Sequence, residues 1–322
     1  MQATAIAHPN IAFIKYWGNR DEALRIPLNS SLSMNLDALS TTTSVEFRAD
    51  LQQDDLVIDG LNASPDAVQR VSAFLDIIRA SMQEKDLKAI VISQNNFPMG
   101  AGIASSASAF AALAAAASKA AGLDLDEAAL SCLARRGSGS ASRSIPDGFV
   151  EWQAGNSDEN SYAFSIAPAD HWQLVDLIAV VSRAHKPVGS STGHLLAATS
   201  PIQNARVSDC QRRLEICRRA ILKKDFSTFA EIVELDSNLL HAVMMTSSPN
   251  LLYWEPPTIA IMKKVLEWRL QGLRVCYTID AGPNVHLLCQ VEDAPSIEKL
   301  LQAVNGVETI YRSNPGRGVQ VF

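Results

Sequence analysis

The chain has 322 residues, of which 47% are hydrophobic and 19% are charged. This composition is typical of a folded globular protein, and the length predicts two packed subdomains rather than one core. The net charge of −6 disfavours non-specific attraction to nucleic acid or to an anionic membrane, so a strongly anionic ligand would need a local basic pocket.

Periodicity and turn residues predict the elements in chain order. Up to residue 144, the predicted elements are strands over 4–14, 41–48 and 89–93, helices over 66–82, 106–121 and 126–136, and a loop over 138–144. Beyond it, they are strands over 174–182, 273–279, 284–290 and 317–322, with helices over 202–223, 226–245, 256–271 and 295–304.

After residue 182 the predicted elements change from mainly strands to long helices. We therefore predict an N-terminal subdomain over 1–183 and a C-terminal subdomain over 184–322. Because strands and helices do not alternate regularly, the α+β class is favoured over a doubly wound sheet.

The five cysteines form no CxxC pair and no cluster with metal-ligand spacing. They predict reduced thiols, and no zinc site is expected, since the six histidines are also scattered. The N-terminus lacks a signal-peptide pattern, and no apolar run reaches the roughly 18 residues of a membrane span. We therefore expect a cytoplasmic protein.

A run of small residues stands between a predicted strand and a predicted helix. Small residues let the backbone approach a ligand, and a helix N-terminus offers free N–H groups to an anion. The pattern is neither a Walker loop nor a dinucleotide fingerprint, and ordinary helix capping is the alternative. The run consists of Pro98, Met99, Gly100, Ala101, Gly102, Ile103, Ala104, Ser105 and Ser106.

Three further segments could carry chemistry. Residues 9–20 bring Lys15 and two aromatic residues to the end of an apolar run, which indicates either a substrate wall or a strand end with a snorkelling lysine. Residues 136–144 could hold a phosphate or carboxylate through Arg143, or form an exposed loop. Asp280 precedes a Gly-Pro turn and could be a catalytic carboxylate or a turn acid.

Six segments stand in one order along the chain. They are NIAFIKYWG (10–18), PLNSSLS (27–33), NNFPMGAGIASSASAFAAL (95–113), ARRGSGSASRS (134–144), DSNLLHA (236–242) and DAGPN (280–284). Together they closely resemble the mevalonate diphosphate decarboxylase family of the GHMP kinase superfamily. The resemblance covers essentially the whole chain and implies a GHMP-kinase-like fold with a deep cleft between two subdomains.

The resemblance implies an ATP-dependent carboxy-lyase of isoprenoid biosynthesis. The γ-phosphoryl group of ATP–Mg²⁺ would pass to the C3 hydroxyl of a 5-phosphorylated mevalonate, and loss of phosphate and carbon dioxide would form the double bond. The protein would contribute positioning and electrostatics. The resemblance also implies a homodimer. From the net charge and the lack of a membrane span, we expect no nucleic-acid or membrane partner.

The resemblance also assigns residues. Asp280 matches the catalytic carboxylate, with Lys15 and Arg143 as charged partners. Matched substrate-binding residues are Tyr16, Trp17, Gly18, Asn19, Arg70, Ser138, Gly139, Ser140, Ala141, Ser142, Arg143 and Thr192. Matched ATP-binding residues are Asn95, the run 98–106 and Lys186. Magnesium would arrive with ATP and contact Ser105, without a cluster of protein ligands.

The chain departs from the family at Asn19, where the motif normally ends in lysine (KYWGK). That lysine contacts the terminal phosphates in relatives, and each charge-assisted contact is worth roughly 1.5–3 kcal/mol. Ser191 and Pro146-Asp147 are smaller departures. We therefore predict mevalonate 5-phosphate as the substrate, giving isopentenyl phosphate.

Several alternatives stay open. Arg20 or Arg70 could replace the missing charge, and mevalonate 5-diphosphate would then be the substrate. A GHMP small-molecule kinase that stops before decarboxylation, or a non-catalytic binding protein, would share the fold. Release of ADP without carbon dioxide would distinguish the kinase.

Overall fold

The structure is a computed structural model that describes residues 1–97, 105–184 and 188–322. Its helices are α1 (Pro65–Arg79), α2 (Ser105–Ala120), α3 (Glu127–Gly137), α4 (Ser190–Leu196), α5 (Gln203–Ser208), α6 (Cys210–Lys223), α7 (Phe226–Thr246), α8 (Pro256–Leu270) and α9 (Ala294–Gln302). None of the helices in this described part is both long and apolar enough to cross a bilayer.

The strands are short. They are β1 (Gln2–Ala7), β2 (Asn10–Ile14), β3 (Asn19–Asp21), β4 (Ile26–Pro27), β5 (Ser31–Asn35), β6 (Thr41–Arg48), β7 (Asp55–Ile58), β8 (Leu61–Asn62), β9 (Lys88–Asn95), β10 (Phe149–Trp152), β11 (Ala163–Ala167), β12 (Leu174–Val180), β13 (Val275–Thr278), β14 (Val285–Gln290), β15 (Thr309–Ser313) and β16 (Gln320–Val321). Together with the helices they confirm the predicted α+β class.

The larger sheets are mostly antiparallel. One has six strands in the order β16-β1-β6-β9-β7-β8, and two have four strands in the orders β11-β10-β5-β2 and β13-β14-β12-β15. The register of β2 against β5 shifts between Ala12 and Ile14. Such a bulge bends a strand and redirects its side chains, and here it immediately precedes Lys15.

The alanine-rich helix α2 packs on the six-stranded sheet against β1 and β6. Its residues Ala111, Ala112, Ala114 and Ala116 are completely buried. Because alanine has the smallest side chain that favours a helix, the backbone of α2 can approach the sheet closely. This packing holds the helix against β1 and β6.

Helices α1, α2, α3, α7, α8 and α9 begin and end within three residues of their predicted bounds. The predicted helix over 202–223 is instead two helices that meet at Asp209. The predicted final strand over 317–322 shortens to Gln320–Val321, and a strand over Thr309–Ser313 was not predicted. Short strands of this kind carry too few residues to show a clear alternation.

The predicted loop over 138–144 is wrong, because Gly139–Ser144 forms a 3-10 helix. Its glycine and serine content is typical of a flexible segment, but here these residues form hydrogen bonds with one another. The Ser142 hydroxyl donates to the Gly139 carbonyl at 2.8 Å, and the Ala141 N–H donates to the Ser138 carbonyl at 2.9 Å. Most of the segment is buried.

The division of the chain at residue 184 stays a prediction. Strand β12 precedes that residue, yet it pairs with β14 and β15, which follow it. At the other end, β16 pairs with β1. Strands from before and after residue 184 therefore pair with each other in two of the sheets.

A buried carboxylate in α7 fixes the end of β2. Asp236 is fully buried and accepts the Lys15 N–H at 2.7 Å and the Arg213 Nε–H at 2.8 Å. The Lys15 carbonyl accepts hydrogen bonds from Arg206 at 2.7 Å and Asn29 at 3.0 Å. Both main-chain groups of Lys15 are thus held by side chains from elsewhere in the chain.

We expect Asp236→Asn to lower the free energy of unfolding by roughly 3–5 kcal/mol, because it leaves the buried Arg206 without a counter-charge and Arg213 with only that of Asp209. Urea denaturation followed by circular dichroism measures the loss. In the matched control Arg48→Ala, the broken pair with Asp50 is exposed, so stability should not change. Equal stability of the two variants would contradict the role of Asp236.

Candidate active site

A pocket forms where the end of β2, the start of α2, the 3-10 helix, α4 and the loop after β13 meet. It brings together many of the residues predicted from sequence. These are Lys15, Tyr16, Trp17, Arg70, Ser105, Ser106, Ser138, Gly139, Ser140, Arg143 and Asp280.

Lys15 and Asp280 form an ion pair in this pocket, with Nζ 2.6 Å from Oδ1. The lysine side chain is buried, whereas 28% of the Asp280 side chain is exposed. Burial alone would raise the pKa of Asp280, but Lys15, His286 and Arg143 together hold it below its ordinary value. Asp280 is therefore an ionised hydrogen-bond acceptor with an open face.

Helix α7 positions the segment that carries Asp280. The Ile279 N–H donates to the Ser237 hydroxyl at 3.0 Å, and His241 Nε2 lies 3.3 Å from the Ile279 carbonyl oxygen. The Thr278 hydroxyl donates to the Ala12 carbonyl at 3.3 Å, which links the end of β13 to β2. The DSNLLHA segment thus holds the DAGPN segment in place.

Arg143 is a buried cation whose direct partners are neutral. Its guanidinium donates to Ser31 at 2.6 Å, to Ser33 at 3.2 Å, and to the Asn10 amide oxygen at 3.1 and 3.2 Å. Burial lowers the pKa of Arg143 to about 10, against the opposing effect of Asp280. A buried cation held by neutral oxygens is suited to binding an anionic ligand.

Aromatic rings form one wall of the pocket. The ring of Tyr16 stacks on His194 with centroids 4.2 Å apart, and it meets Trp152 edge-on at 4.8 Å. Burial raises the pKa of Tyr16, so its hydroxyl stays protonated and donates to Asn19 Oδ1 at 2.5 Å. A Cβ atom at Gly139 would lie 2.6 Å from the Tyr16 ring, so this close packing requires glycine.

His194 lines the pocket, although no binding role was predicted for it from the sequence. Its Nδ1 accepts the Gly18 N–H at 2.9 Å, which places the ring proton on Nε2. Burial, with the charges of Arg25, Arg206 and Arg143, lowers the pKa of His194 to about 3. The ring is therefore a neutral N–H donor at physiological pH.

Several predicted site residues lie outside the pocket lining. Ala141 is in the core, and the Ser142 hydroxyl bonds to Gly139. Thr192 is exposed on α4, and Gly18 turns the chain with a left-handed φ of 90°. Asn95 bonds to Thr41 and Asp59. Their roles in binding stay predictions.

Asn19 is likewise absent from the lining. Its amide oxygen accepts from Tyr16, and its amide nitrogen donates to Glu22 at 2.7 Å. Both polar atoms of the amide are therefore bound to nearby side chains. The predicted ATP-binding residues 98–104 and Lys186 lie outside the described residues.

The pocket also contains residues that the sequence analysis did not select. Asn10, Ala12, Leu240 and Ala281 lie in the quoted segments, so the motifs could have indicated them. Ser191, which also lines the pocket, was noted only as a departure from the family. Arg25 and His194 lie in none of the quoted motifs, and only the tertiary structure brings them to the pocket. Within residues 1–97, 105–184 and 188–322, no group of three His, Cys, Asp or Glu residues could hold a metal ion.

Comparisons with known proteins identify the class. Residues 7–163 match a family model described as the diphosphomevalonate decarboxylase-like N-terminal domain. Residues 176–316 match the mevalonate 5-diphosphate decarboxylase C-terminal domain. A diphosphomevalonate decarboxylase from Candida albicans is 40% identical over 298 residues, covering 88% of this chain and 82% of the relative. The one from Homo sapiens is 39% identical over 304 residues, covering 87% and 75%.

Solved structures agree. Mevalonate diphosphate decarboxylase from Staphylococcus aureus superposes with a TM-score of 0.93 at 38% identity, covering 100% of this chain and 98% of that chain. A structure described as MDDEF in complex with MVAPP, AMPPCP and magnesium gives a TM-score of 0.94 at 36% identity, covering 100% and 99%.

The fold is that of the GHMP superfamily, as predicted. Within it, the chain belongs to the mevalonate diphosphate decarboxylase family. The predicted class of enzyme, an ATP-dependent decarboxylase of the mevalonate pathway, is confirmed. These relatives are named for the diphosphate, which favours the alternative substrate over the predicted monophosphate.

We expect Gly139→Ala to lower the free energy of unfolding by about 1–3 kcal/mol, because the added methyl group overlaps the Tyr16 ring. The matched control is Gly189→Ala, in the same pocket, where a Cβ atom would meet nothing within 4 Å. Urea denaturation of both variants makes the comparison. A loss of stability in the control alone would contradict the packing argument.

Proposed function

We propose that the chain uses ATP and Mg²⁺ to decarboxylate mevalonate 5-diphosphate, giving isopentenyl diphosphate, carbon dioxide, ADP and phosphate. The main support is the arrangement of three charged side chains in one pocket. Asp280 is ionised and pairs with the buried Lys15, and the buried Arg143 contacts no carboxylate among the described residues. The names of the relatives support the diphosphate over the monophosphate.

Asp280 would accept a hydrogen bond from the C3 hydroxyl and take its proton during phosphoryl transfer. Its lowered pKa makes it a weak base, so we infer that its larger contribution is orientation and electrostatic stabilisation. Positive charge develops at C3 as the phosphate leaves, and the nearby carboxylate favours it. Lys15 keeps that carboxylate ionised and in place.

Arg143 would hold the carboxylate that leaves as carbon dioxide. Its neutral partners, Ser31, Ser33 and Asn10, fix the guanidinium without neutralising its charge. A substrate carboxylate would thus supply the missing counter-charge. Ser138, Gly139, Ser140 and Tyr16 would line the phosphorylated end of the substrate.

Ser105 and Ser106 support the placement of ATP. Both line the pocket at the start of α2, where free N–H groups and the helix dipole favour phosphate. Their hydroxyl oxygens are suitable ligands for Mg²⁺, which prefers oxygen donors and usually keeps several waters. When bound, ATP supplies the phosphoryl group that turns the C3 hydroxyl into a leaving group.

The oligomeric state, location and partners are further expectations from the sequence. We propose a homodimer in the cytoplasm, with a small-molecule substrate and no nucleic-acid partner. Analytical ultracentrifugation of the purified protein would measure the oligomeric state.

An assay of mevalonate 5-diphosphate and 5-phosphate side by side tests the proposal. We expect kcat/KM to be at least about tenfold higher for the diphosphate, because a second phosphate adds charge-assisted contacts. ADP and carbon dioxide should appear in equal amounts. ADP without carbon dioxide would support the kinase, and a preference for the monophosphate would contradict the proposed substrate.

We expect Asp280→Asn to lower kcat by about 10²–10⁴, since the variant keeps the shape of the side chain but loses the charge and the base. The Kd for ATP, measured by calorimetry, should stay within about twofold of the original. Asp50→Asn, at an exposed carboxylate outside the pocket, is the matched control. Near-normal turnover of the Asp280 variant would exclude the role assigned to it.

A further inference from the structure

Arg25 lines the pocket but belongs to none of the segments that carry the family resemblance. It lies in the turn between β3 and β4, directly before Ile26, with a left-handed φ of 52°. This conformation is unfavourable for a residue with a Cβ atom and is often found at functional sites.

The end of helix α3 holds this turn from both sides. Arg135, which is completely buried, donates through Nε to the Leu24 carbonyl at 2.9 Å. Arg25 donates through Nε to the Arg136 carbonyl at 3.1 Å. The backbone and the guanidinium of the Arg25 segment are therefore both fixed on α3.

Arg70 is held in the same way. Its Nη2 donates to the Gly137 carbonyl at 3.0 Å, and its guanidinium lies over the Phe110 ring at 4.5 Å. Carbonyl groups at a helix C-terminus carry partial negative charge and favour cations. Burial and the like charge of Arg25 lower the pKa of Arg70. The two guanidinium groups are neighbours because they bind consecutive carbonyl groups, those of Arg136 and Gly137.

Neither arginine forms an ion pair with a carboxylate in the part of the chain that the structure describes. Two neighbouring cations with only carbonyl partners repel each other until an anion binds. A phosphate group, with nearly two negative charges, would match this pair.

The side chains at positions 19 and 20 do not line the pocket. Asn19 uses its amide on Tyr16 and Glu22. Arg20 is exposed and donates to the Gly155 carbonyl at 3.3 Å. Within the hairpin β3–β4 and its turn, the pocket-lining cation is Arg25.

We propose that Arg25, with Arg70 beside it, binds the terminal phosphate of mevalonate 5-diphosphate and replaces the lysine that is absent at position 19. Arg25 is then a residue that determines specificity for the diphosphate over the monophosphate. The inference rests on the proposed function, and its test separates the two.

Arg25→Asn removes the charge and keeps a residue that tolerates the left-handed conformation. We expect the Kd of mevalonate 5-diphosphate to rise about tenfold or more, since one charge-assisted contact is lost. The Kd of mevalonate 5-phosphate should change by less than about threefold. Isothermal titration calorimetry without ATP measures both. Arg20→Asn, in the same hairpin but outside the pocket, should change neither value.

Urea denaturation would verify that the variant folds, and Arg25→Gly, which suits the backbone best, serves in its place if it does not. Adding Asn19→Lys to Arg25→Asn should restore affinity for the diphosphate, as expected if the two positions share one task. An unchanged Kd for the diphosphate, or an equal loss for both ligands, would overturn the inference.

The original chain separates this inference from the proposed function. If it converts the diphosphate to ADP and carbon dioxide while Arg25→Asn binds the diphosphate normally, only the inference fails. If the original chain does not bind the diphosphate, both fail.

Discussion

Lys15 and Asp280 are 265 residues apart in the chain, and their ion pair exists because β2 and β13 end side by side. The hydrogen bond from Thr278 to Ala12 joins the two strands, and Asp236 and Arg206 fix the backbone of Lys15. The bulge in β2 then turns the lysine toward the acid. The ionised, partly open carboxylate on which the proposed chemistry depends is thus a product of the whole fold.

The pocket resolves an apparent conflict between an acidic protein and a strongly anionic substrate. The net charge is −6, yet Arg143, Arg25 and Arg70 face the pocket with hydroxyl, amide or carbonyl partners instead of carboxylates. Neutral partners fix a cation in position while leaving its charge available. The local field is therefore opposite in sign to the field of the whole protein.

Local sequence predicted much of this site and missed what depends on tertiary structure. Lys15, Arg143 and Asp280 lie in short motifs, so their chemistry and their neighbours appear together in the sequence. Arg25 can be identified as a pocket residue only from the packing of α3 against its turn. The sequence alone suggested Arg20 or Arg70 as replacements for the lysine that is absent at position 19. The segment 138–144 was misjudged because glycine and serine are typical of loops, while here they bond within a buried 3-10 helix. The longer helices were predicted well because many turns repeat their pattern.

The end of α3 has a consequence for the size of molecule that the pocket accepts. Its last carbonyl groups hold Arg25 and Arg70, and the chain continues directly into the 3-10 helix that carries Arg143. One continuous segment thus positions the three arginines that line the pocket. A shift of α3 relative to the rest of the fold would therefore change the length of the compound that fits the pocket, while Lys15 and Asp280 stay unchanged.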